Sequence, residues 1–120
     1  MMYTEPEMTV DEDGTQKWFL NGLLHREDAP AMIESDGSQR WYLNNQLHRT
    51  DGPAVILANG TQKWFLNGVQ HRTDGPAEIY ADGSQYWYQN DKEYNFSEWL
   101  AALDADDKTK TLLTLKWSSR

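Results

Sequence analysis

The chain has 120 residues, a formal net charge of −8 at pH 7 and no cysteine. This length favours one domain, and the lack of cysteine excludes disulfides, a catalytic thiolate and cysteine-ligated zinc. An acidic chain is repelled by phosphate backbones, which disfavours direct nucleic-acid binding.

The acidic charge is concentrated at the N-terminus, where residues 1–12 hold four acidic side chains and no basic one. This arrangement favours a protein partner with a basic surface, although moderate acidity can also serve solubility alone. The same segment lacks the basic region and apolar run of a signal peptide, and no run of the chain is long and apolar enough to span a membrane. We therefore expect a soluble, cytoplasmic protein without a membrane partner.

A 23-residue unit recurs along the chain, with copies that begin near residues 13, 36, 59 and 82. Each copy opens on Asp-Gly or Asn-Gly and continues with a Trp-(Phe/Tyr) pair. The first three copies then contain His-Arg-x-Asp-(Gly/Ala)-Pro-Ala, whereas the fourth has Tyr94-Asn95 in place of His-Arg. A repeat of this size indicates a stack of supersecondary units, none of which buries its apolar face alone.

Each unit is predicted to be a β-hairpin. The Asp-Gly or Asn-Gly pair, as at Asp36-Gly37, is the strongest signal for a type I′ turn with positive φ at both central residues. Short alternating strands flank it, and residues 8–10 occupy the slot of the first strand in the first hairpin. A second turn follows at residues that tolerate the left-handed region, as at Asn21-Gly22 and Asn44-Asn45.

Alternation along the strands predicts two faces. The core is expected to contain the stacked files Trp18, Trp41, Trp64 and Trp87, and Ile33, Ile56 and Ile79. The opposite face is expected to carry Phe19, Tyr42, Phe65 and Tyr88, with Met32, Val55, Leu57 and Tyr80 on the partner strands. If this aromatic face is exposed, it is a protein-binding surface; if another layer or protomer covers it, it is core. Both alternatives remain open.

The candidate partner-binding residues come from the acidic N-terminus and from the aromatic face. They are Glu5, Glu7, Asp11, Glu12, Phe19, Arg40, Tyr42, Phe65, Tyr80 and Tyr88.

The repeated histidines His25, His48 and His71 raise the question of a metal or catalytic site. Equivalent residues two strands apart lie about 10 Å from each other, whereas the ligands of one metal converge within about 2 Å of it. We therefore predict no catalytic residues, no metal and no cofactor. The scaffold interpretation is that the motif aspartates bond local backbone N–H groups and offset the motif arginines. These residues are Asp28, Asp51 and Asp74, with Arg26, Arg49 and Arg72.

The period changes from 2 to 3.6 after the fourth hairpin. Residues 96–103 place Phe96, Trp99, Leu100 and Leu103 on one face of a short helix, and Asn95 with Glu98 forms a capping-box pattern. This helix is expected to cover the last hairpin. Residues 108–117 fit either a helix or an alternating strand, and we prefer a helix started by the preceding aspartates. The predicted organisation is a hairpin array over 1–95 and a helical cap over 96–120.

The segments Trp-(Tyr/Phe)-Leu-Asn-Gly and Asp-Gly-x-x-x-Trp resemble MORN-like hairpin repeats, in particular the bacterial and phage variant with tandem WYLNGxLHRxDGPA units. The resemblance covers about residues 10–95. It implies a mainly β, single-layer, solenoid-like array of antiparallel hairpins that binds proteins in the cytoplasm of a bacterial host cell. Some related repeat proteins are labelled antitoxins. Departures from the pattern at Ala29, Asn45 and the fourth unit are expected to weaken turn chemistry locally.

These observations predict a non-enzymatic protein-binding module. The sharper hypothesis is an acidic inhibitor of antitoxin type, with a phage gene as a candidate source, that acts on a host defence or nucleic-acid-handling protein. The alternatives are a structural component of a larger assembly, which would include a homo-oligomer, a direct nucleic-acid binder that uses the aromatic face, and an enzyme. Loss of a measured turnover in His48→Ala would favour the enzyme.

Overall fold

A computed structural model describes residues 5–118, which form an open antiparallel sheet followed by two helices. The molecule is elongated, with principal extents of 50 × 33 × 20 Å. The predicted mainly β fold with a helical C-terminus is confirmed. In chain order the strands are β1 (Glu7–Val10), β2 (Gln16–Leu20), β3 (Leu23–Leu24), β4 (Met32–Ile33), β5 (Gln39–Arg40), β6 (Tyr42–Leu43), β7 (Gln46–Leu47), β8 (Val55–Ile56), β9 (Gln62–Lys63), β10 (Phe65–Leu66), β11 (Val69–Gln70), β12 (Glu78–Ile79), β13 (Gln85–Gln89) and β14 (Lys92–Tyr94), and the helices are α1 (Phe96–Ala102) and α2 (Asp107–Trp117).

The main sheet runs in the order β1-β2-β4-β5-β8-β9-β12-β13-β14 and does not close on itself, because its two ends are β1 and β14. Strands β1–β2, β4–β5, β8–β9 and β12–β13 pair as antiparallel hairpins, which confirms the predicted hairpin in each unit. Met8 and Thr9 pair with Trp18 and Lys17, so residues 8–10 do supply the first strand. A second hairpin follows in each unit, as in β6–β7.

The first turn of each unit is not the predicted type I′ turn. Between β4 and β5, Gly37 donates its N–H to the Glu34 carbonyl at 2.9 Å, and only Gly37, with φ 93°, lies in the left-handed region. This is a type I turn followed by a glycine bulge. The Asp36 carboxylate accepts a hydrogen bond from the Ser38 N–H at 2.8 Å, an Asx interaction that favours this alternative. In the other three units the side chains of Asp13, Asn59 and Asp82 accept the equivalent hydrogen bond from the N–H of the residue two positions later.

The second turn of each unit has the type I′ geometry instead. Asn44 and Asn45 have φ of 49° and 67°. Asn45 replaces the usual glycine, but its Oδ1 accepts a hydrogen bond from the Leu24 N–H of the previous unit at 2.8 Å. Asparagine tolerates the left-handed region, so this position gains a link between units that glycine cannot make. Ala29 does not weaken a turn, since its counterpart Gly52 has no positive φ.

Acid is expected to destabilise the first turns. The Asp36 carboxylate has its pKa lowered by the backbone N–H of Ser38, and the pKa values of Asp13 and Asp82 are lowered in the same way by Thr15 and Ser84. A depressed pKa means that the stabilisation is complete above the ordinary aspartate pKa of about 3.9 and is lost as pH falls through the folded-state value. Asn59 makes the equivalent bond to Thr61 without titrating.

The triple variant with Asp13, Asp36 and Asp82 replaced by asparagine should therefore lose less stability than the wild type between pH 7 and pH 2.5. The urea midpoint at the two pH values measures this loss. Equal losses in both proteins would show that the three carboxylates do not contribute to the acid sensitivity.

The core of the array contains fewer of the predicted residues than expected. Ala31, Ala54 and Ala77 are fully buried, but Ile33 and the equivalent isoleucines are only half-buried. Trp41 and Trp87 are buried, whereas Trp18 and Trp64 are half-buried. The isoleucine file was therefore wrongly assigned to the core. In an open sheet each side chain is covered only by neighbouring side chains of the same array. The small alanines beside the tryptophans are therefore fully buried, whereas the larger isoleucines are not.

The C-terminal helices complete the core at one end of the sheet. The predicted capping box is present, because the Asn95 Oδ1 accepts from the Glu98 N–H at 2.9 Å and the Glu98 carboxylate accepts from the Asn95 N–H at 3.2 Å. Residues 107–117 are helical, so the strand alternative is wrong. Asp106 caps this helix by accepting from the Thr109 N–H at 2.8 Å. The resulting apolar cluster contains Trp87, Trp99, Leu103 and Leu113.

Candidate partner-binding surfaces

The acidic end of the molecule lies at the open edge of the sheet. Glu5, Glu7 and Glu12 are exposed, and none of them makes an ion pair within residues 5–118. Asp11 is different, because its carboxylate lies 3.1 Å from the Lys17 ammonium. Strand β1, which bears Glu7, is the first strand of the sheet, and all four of its residues are exposed. Negative charge and an open strand edge therefore lie together.

The predicted aromatic face is half-buried within this chain. Phe19, Tyr42, Phe65 and Tyr88 have intermediate exposure, so neither the fully exposed nor the fully covered alternative is seen. Val55 was expected to face outward with them, but only 2% of its surface is exposed. The guanidinium of Arg40 is held by Glu34 at 2.6 Å, which restrains this predicted anchor.

Tyr80 lies in a small aromatic and acidic cluster at the capped end of the same face. Its ring packs edge-on against Tyr86 at 5.5 Å, and its hydroxyl donates to Glu78 at 3.1 Å. Burial, together with the Glu78 carboxylate, raises the pKa of Tyr80. Burial and the same carboxylate also raise the pKa of Tyr88. Both phenols therefore stay protonated and act as hydrogen-bond donors.

The motif arginines are scaffold residues with a role that the sequence did not indicate. The Arg72 guanidinium stacks on the Trp64 ring at 3.8 Å, donates to the Pro76 carbonyl at 3.0 Å and contacts Asp74 at 2.7 Å. Arg49 and Arg26 stack equally on Trp41 and Trp18, each at 3.9 Å. In the second and third units the motif aspartate therefore binds its arginine, as predicted, whereas the predicted backbone bonds of the motif aspartates are not found in residues 5–118.

The motif histidines act as hydrogen-bond acceptors between neighbouring units. The Nδ1 atoms of His25, His48 and His71 accept from backbone N–H groups 19 residues ahead, at 3.2, 2.9 and 3.1 Å. Within residues 5–118, no cluster of three or more histidine or acidic side chains has the arrangement to hold a metal ion. Neither α1 nor α2, the helices of the described segment, has the length and apolar character needed to cross a membrane.

Three pockets open beside the motif loops, which carry the His-Arg-x-Asp sequence, one for each of the first three units. We call them the first, second and third pocket in chain order, with volumes of about 580, 390 and 530 Å³. Each is lined by the tryptophan, leucine, histidine and arginine of its unit. The second and third also include the loop of the unit before. The first pocket is lined by Trp18 and residues 25–29, the second by Trp41 and residues 26–28, and the third by Trp64 and residues 49–52.

No protein-family model, curated protein or solved structure matches this chain. The resemblance to MORN-like repeats stays a prediction from the quoted motifs.

The pockets were missed by reasoning from the sequence, because the motif residues were assigned to the scaffold alone. A signal was present in the loop position that is alanine in the first unit and glycine in the next two, Ala29, Gly52 and Gly75. It was interpreted as turn chemistry. Since Gly52 and Gly75 have no positive φ, the difference between glycine and alanine at this position concerns space.

Proposed function

We propose that this chain is a non-enzymatic protein-binding module, a solenoid-like array of MORN-like hairpin repeats. The observation that carries the proposal is the exposed acidic end, where Glu5, Glu7 and Glu12 lie beside the open edge of β1 without ion-pair partners in residues 5–118. A basic protein surface complements this charge, and such complementarity accelerates association and suppresses wrong partners. The regular array supplies a rigid support for the contact.

The specific role that we propose is that of an acidic inhibitor of antitoxin type. Its target would be a protein that handles nucleic acid, such as a host defence nuclease, because such proteins carry basic surfaces that attract phosphate. An acidic surface can occupy that basic site and compete with nucleic acid. The phage or bacterial source and the cytoplasmic location belong to the same proposal and derive from the motif resemblance.

Affinity capture from bacterial lysate, with washes at low and high salt, is the first experiment. One stoichiometric partner that is released by salt is the expected result. With that partner purified, replacement of Glu5, Glu7 and Glu12 by glutamine should weaken binding by roughly tenfold, since each exposed charge pair contributes about 0.2–1 kcal/mol. The salt dependence of the dissociation constant should also become shallower.

The matched control neutralises three exposed acids at the other end of the molecule, Glu93, Asp104 and Asp107. Both triple variants have the same net charge, so a general charge effect would weaken them equally. Affinity and salt dependence that stay at wild-type values in the N-terminal variant would contradict the proposal.

A structural role through self-association is the second candidate. It is favoured by one observation, the exposed apolar side chains Met8 and Val10 on the edge strand β1, which are 49% and 59% exposed. An open strand edge is a template for pairing with another chain. Self-association in sedimentation experiments, without any captured partner, would support this candidate over the inhibitor.

A further inference from the structure

The position equivalent to the third pocket, one unit further along, is filled by the chain's own helices. The Trp117 indole N–H donates to the Asp74 carbonyl at 3.0 Å, and the Trp99 indole N–H donates to the Arg72 carbonyl at 3.1 Å. The ring of Trp87, the repeat tryptophan of this unit, lies 5.8 Å from the Trp117 ring and 4.6 Å from the Trp99 ring. The cap therefore shows that this kind of pocket accepts an indole.

The third pocket presents the same groups one unit earlier. The backbone carbonyls of Arg49 and Asp51 accept no hydrogen bond within residues 5–118, whereas their counterparts one unit later accept from the cap. The Trp64 ring lines this pocket as Trp87 lines the filled one. Two carbonyl acceptors beside an aromatic ring are the groups that an indole N–H and its ring recognise.

The motif arginine also has a second surface for an aromatic ring. Arg72 stacks on its own repeat tryptophan at 3.8 Å and lies 5.6 Å from the centroid of Trp117 on the cap. Arg49 stacks on its repeat tryptophan at 3.9 Å and lines the third pocket. An incoming ring there would gain a comparable cation–π contact.

One loop position differs between the second and third pockets. At Gly75 a Cβ would lie 2.7 Å from the Cζ atom of Arg72 and 2.8 Å from the Cζ2 atom of Trp117, so the stacked arginine and the filled position both leave room only for glycine. The third pocket keeps glycine at this position, Gly52, and has a volume of about 530 Å³. The second pocket belongs to the loop with Ala29 and is smaller, about 390 Å³. Of these two, the third pocket has more room for a bulky ring. The first pocket is as large, about 580 Å³, but Glu5 and Pro6 take the place of a preceding motif loop in its lining.

The rim of the third pocket carries two ion pairs whose carboxylates lie on the outer side. The side chains of Asp51 and Asp74 are 83% and 78% exposed, whereas their partners Arg49 and Arg72 are only 22% and 13% exposed. The carboxylates therefore face the solvent and the guanidinium groups lie inside. Basic residues beside an incoming indole would be attracted to this rim.

We propose that the third pocket is a binding site for a tryptophan side chain that a partner protein presents beside lysine or arginine. The indole N–H donates to the Asp51 carbonyl, the ring packs against Trp64 and over Gly52, and the flanking cations face Asp51 and Asp74. This inference rests on the proposed protein-binding function and adds the chemistry of the partner residue.

The test uses the full chain and a small probe, the peptide acetyl-Lys-Ser-Trp-Lys-amide with fluorine on the indole. Fluorine NMR detects the probe alone, although the protein contains its own tryptophans. We expect a saturable shift with a stoichiometry of one and no displacement by the same peptide with leucine in place of tryptophan. Absence of saturation at millimolar concentrations would overturn the proposal.

Two reciprocal variants locate the site. Gly52→Ala should weaken probe binding at least tenfold, because a Cβ there would lie 3.0 Å from the Cζ atom of Arg49 and would displace the guanidinium that lines the pocket. Its folding can be checked by the urea midpoint, since the first unit accommodates Ala29 at the same position. Ala29 lies next to Asp28, which lines the second pocket. Ala29→Gly should give that pocket the glycine of the third and raise the stoichiometry from one to two. Wild-type binding in Gly52→Ala together with an unchanged stoichiometry in Ala29→Gly would overturn the assignment to the third pocket.

The outcome is separable from that of the protein-binding proposal. The variant without Glu5, Glu7 and Glu12 charges should bind the probe as the wild type does, since these residues do not line the third pocket. Probe binding without any captured partner would count against the inhibitor role alone. A concentration-dependent dimer that Gly52→Ala abolishes would overturn the partner assignment, because the occupant would then be a second copy of this chain.

Discussion

Replacement of Trp99 by alanine is expected to lower the free energy of unfolding by about 3–5 kcal/mol, the range measured for large aromatic residues removed from cores. Trp99 is fully buried and lies 4.6 Å from the ring of Trp87. Its indole N–H also satisfies the Arg72 carbonyl, which would lose that donor. Since small domains are stable by only about 5–15 kcal/mol, the variant should lose a large part of its stability.

Urea denaturation followed by circular dichroism measures this effect. The matched control is Leu115→Ala on α2, because 72% of the leucine surface is exposed and such substitutions usually change stability by less than about 0.5 kcal/mol. Trp99→Phe should fall between the two, because it keeps an aromatic ring but loses the N–H donor. A midpoint in Trp99→Ala close to that of the control would show that the helices do not stabilise the sheet.

Arg72→Lys is expected to cost about 2–3 kcal/mol although it keeps the charge, since hydrogen bonds to charged groups contribute about 1.5–3 kcal/mol and a stacked cation adds about 0.5–2 kcal/mol. The planar guanidinium contacts Trp64, Asp74 and the Pro76 carbonyl at the same time. A lysine ammonium is a single point donor and cannot reproduce this geometry.

Arg40→Lys is the control for charge and exposure. Arg40 makes an ion pair with Glu34 at 2.6 Å, but both side chains are about 30% exposed, and such pairs contribute about 0–1 kcal/mol. We expect the unfolding midpoint of Arg72→Lys to fall well below that of Arg40→Lys. Equal midpoints would mean that the stacked arginines are ordinary surface charges.

Local patterns predicted the elements that depend on nearby residues. The alternation of side chains along the strands, together with the turn residues, predicted the hairpins. Residues 8–10 stand where the later units have the first strand of a hairpin, and this predicted β1. The pairing of Asn95 with Glu98 predicted the start of α1, because a capping box is a contact between residues three positions apart. In each case the physical cause lies within a few residues of the chain.

Local patterns did not predict features that depend on competing hydrogen bonds or on contacts between residues far apart in the chain. The Asp36 side chain bonds the backbone N–H of Ser38, and this selected a different turn from the one that Asp-Gly alone indicates. Trp117 fills the position that corresponds to the third pocket one unit further along, and its indole N–H bonds to Asp74, 43 residues away in the chain. No periodicity in the sequence indicates this contact. The pockets therefore became visible only when the motif loops were placed side by side.

The bonds between units have a consequence for how the gene can change. Each link described, such as Leu24 with Asn45 or His25 with Asn44, joins one unit only to the next. Excision of residues 36–58 would join Ser35 directly to Asn59 and restore the same loop sequence pattern. Recombination between copies could thus shorten or lengthen the protein by whole units of about 10 Å, two strands at their usual spacing. Each such event would change the number of pockets while the terminal helices stay in place.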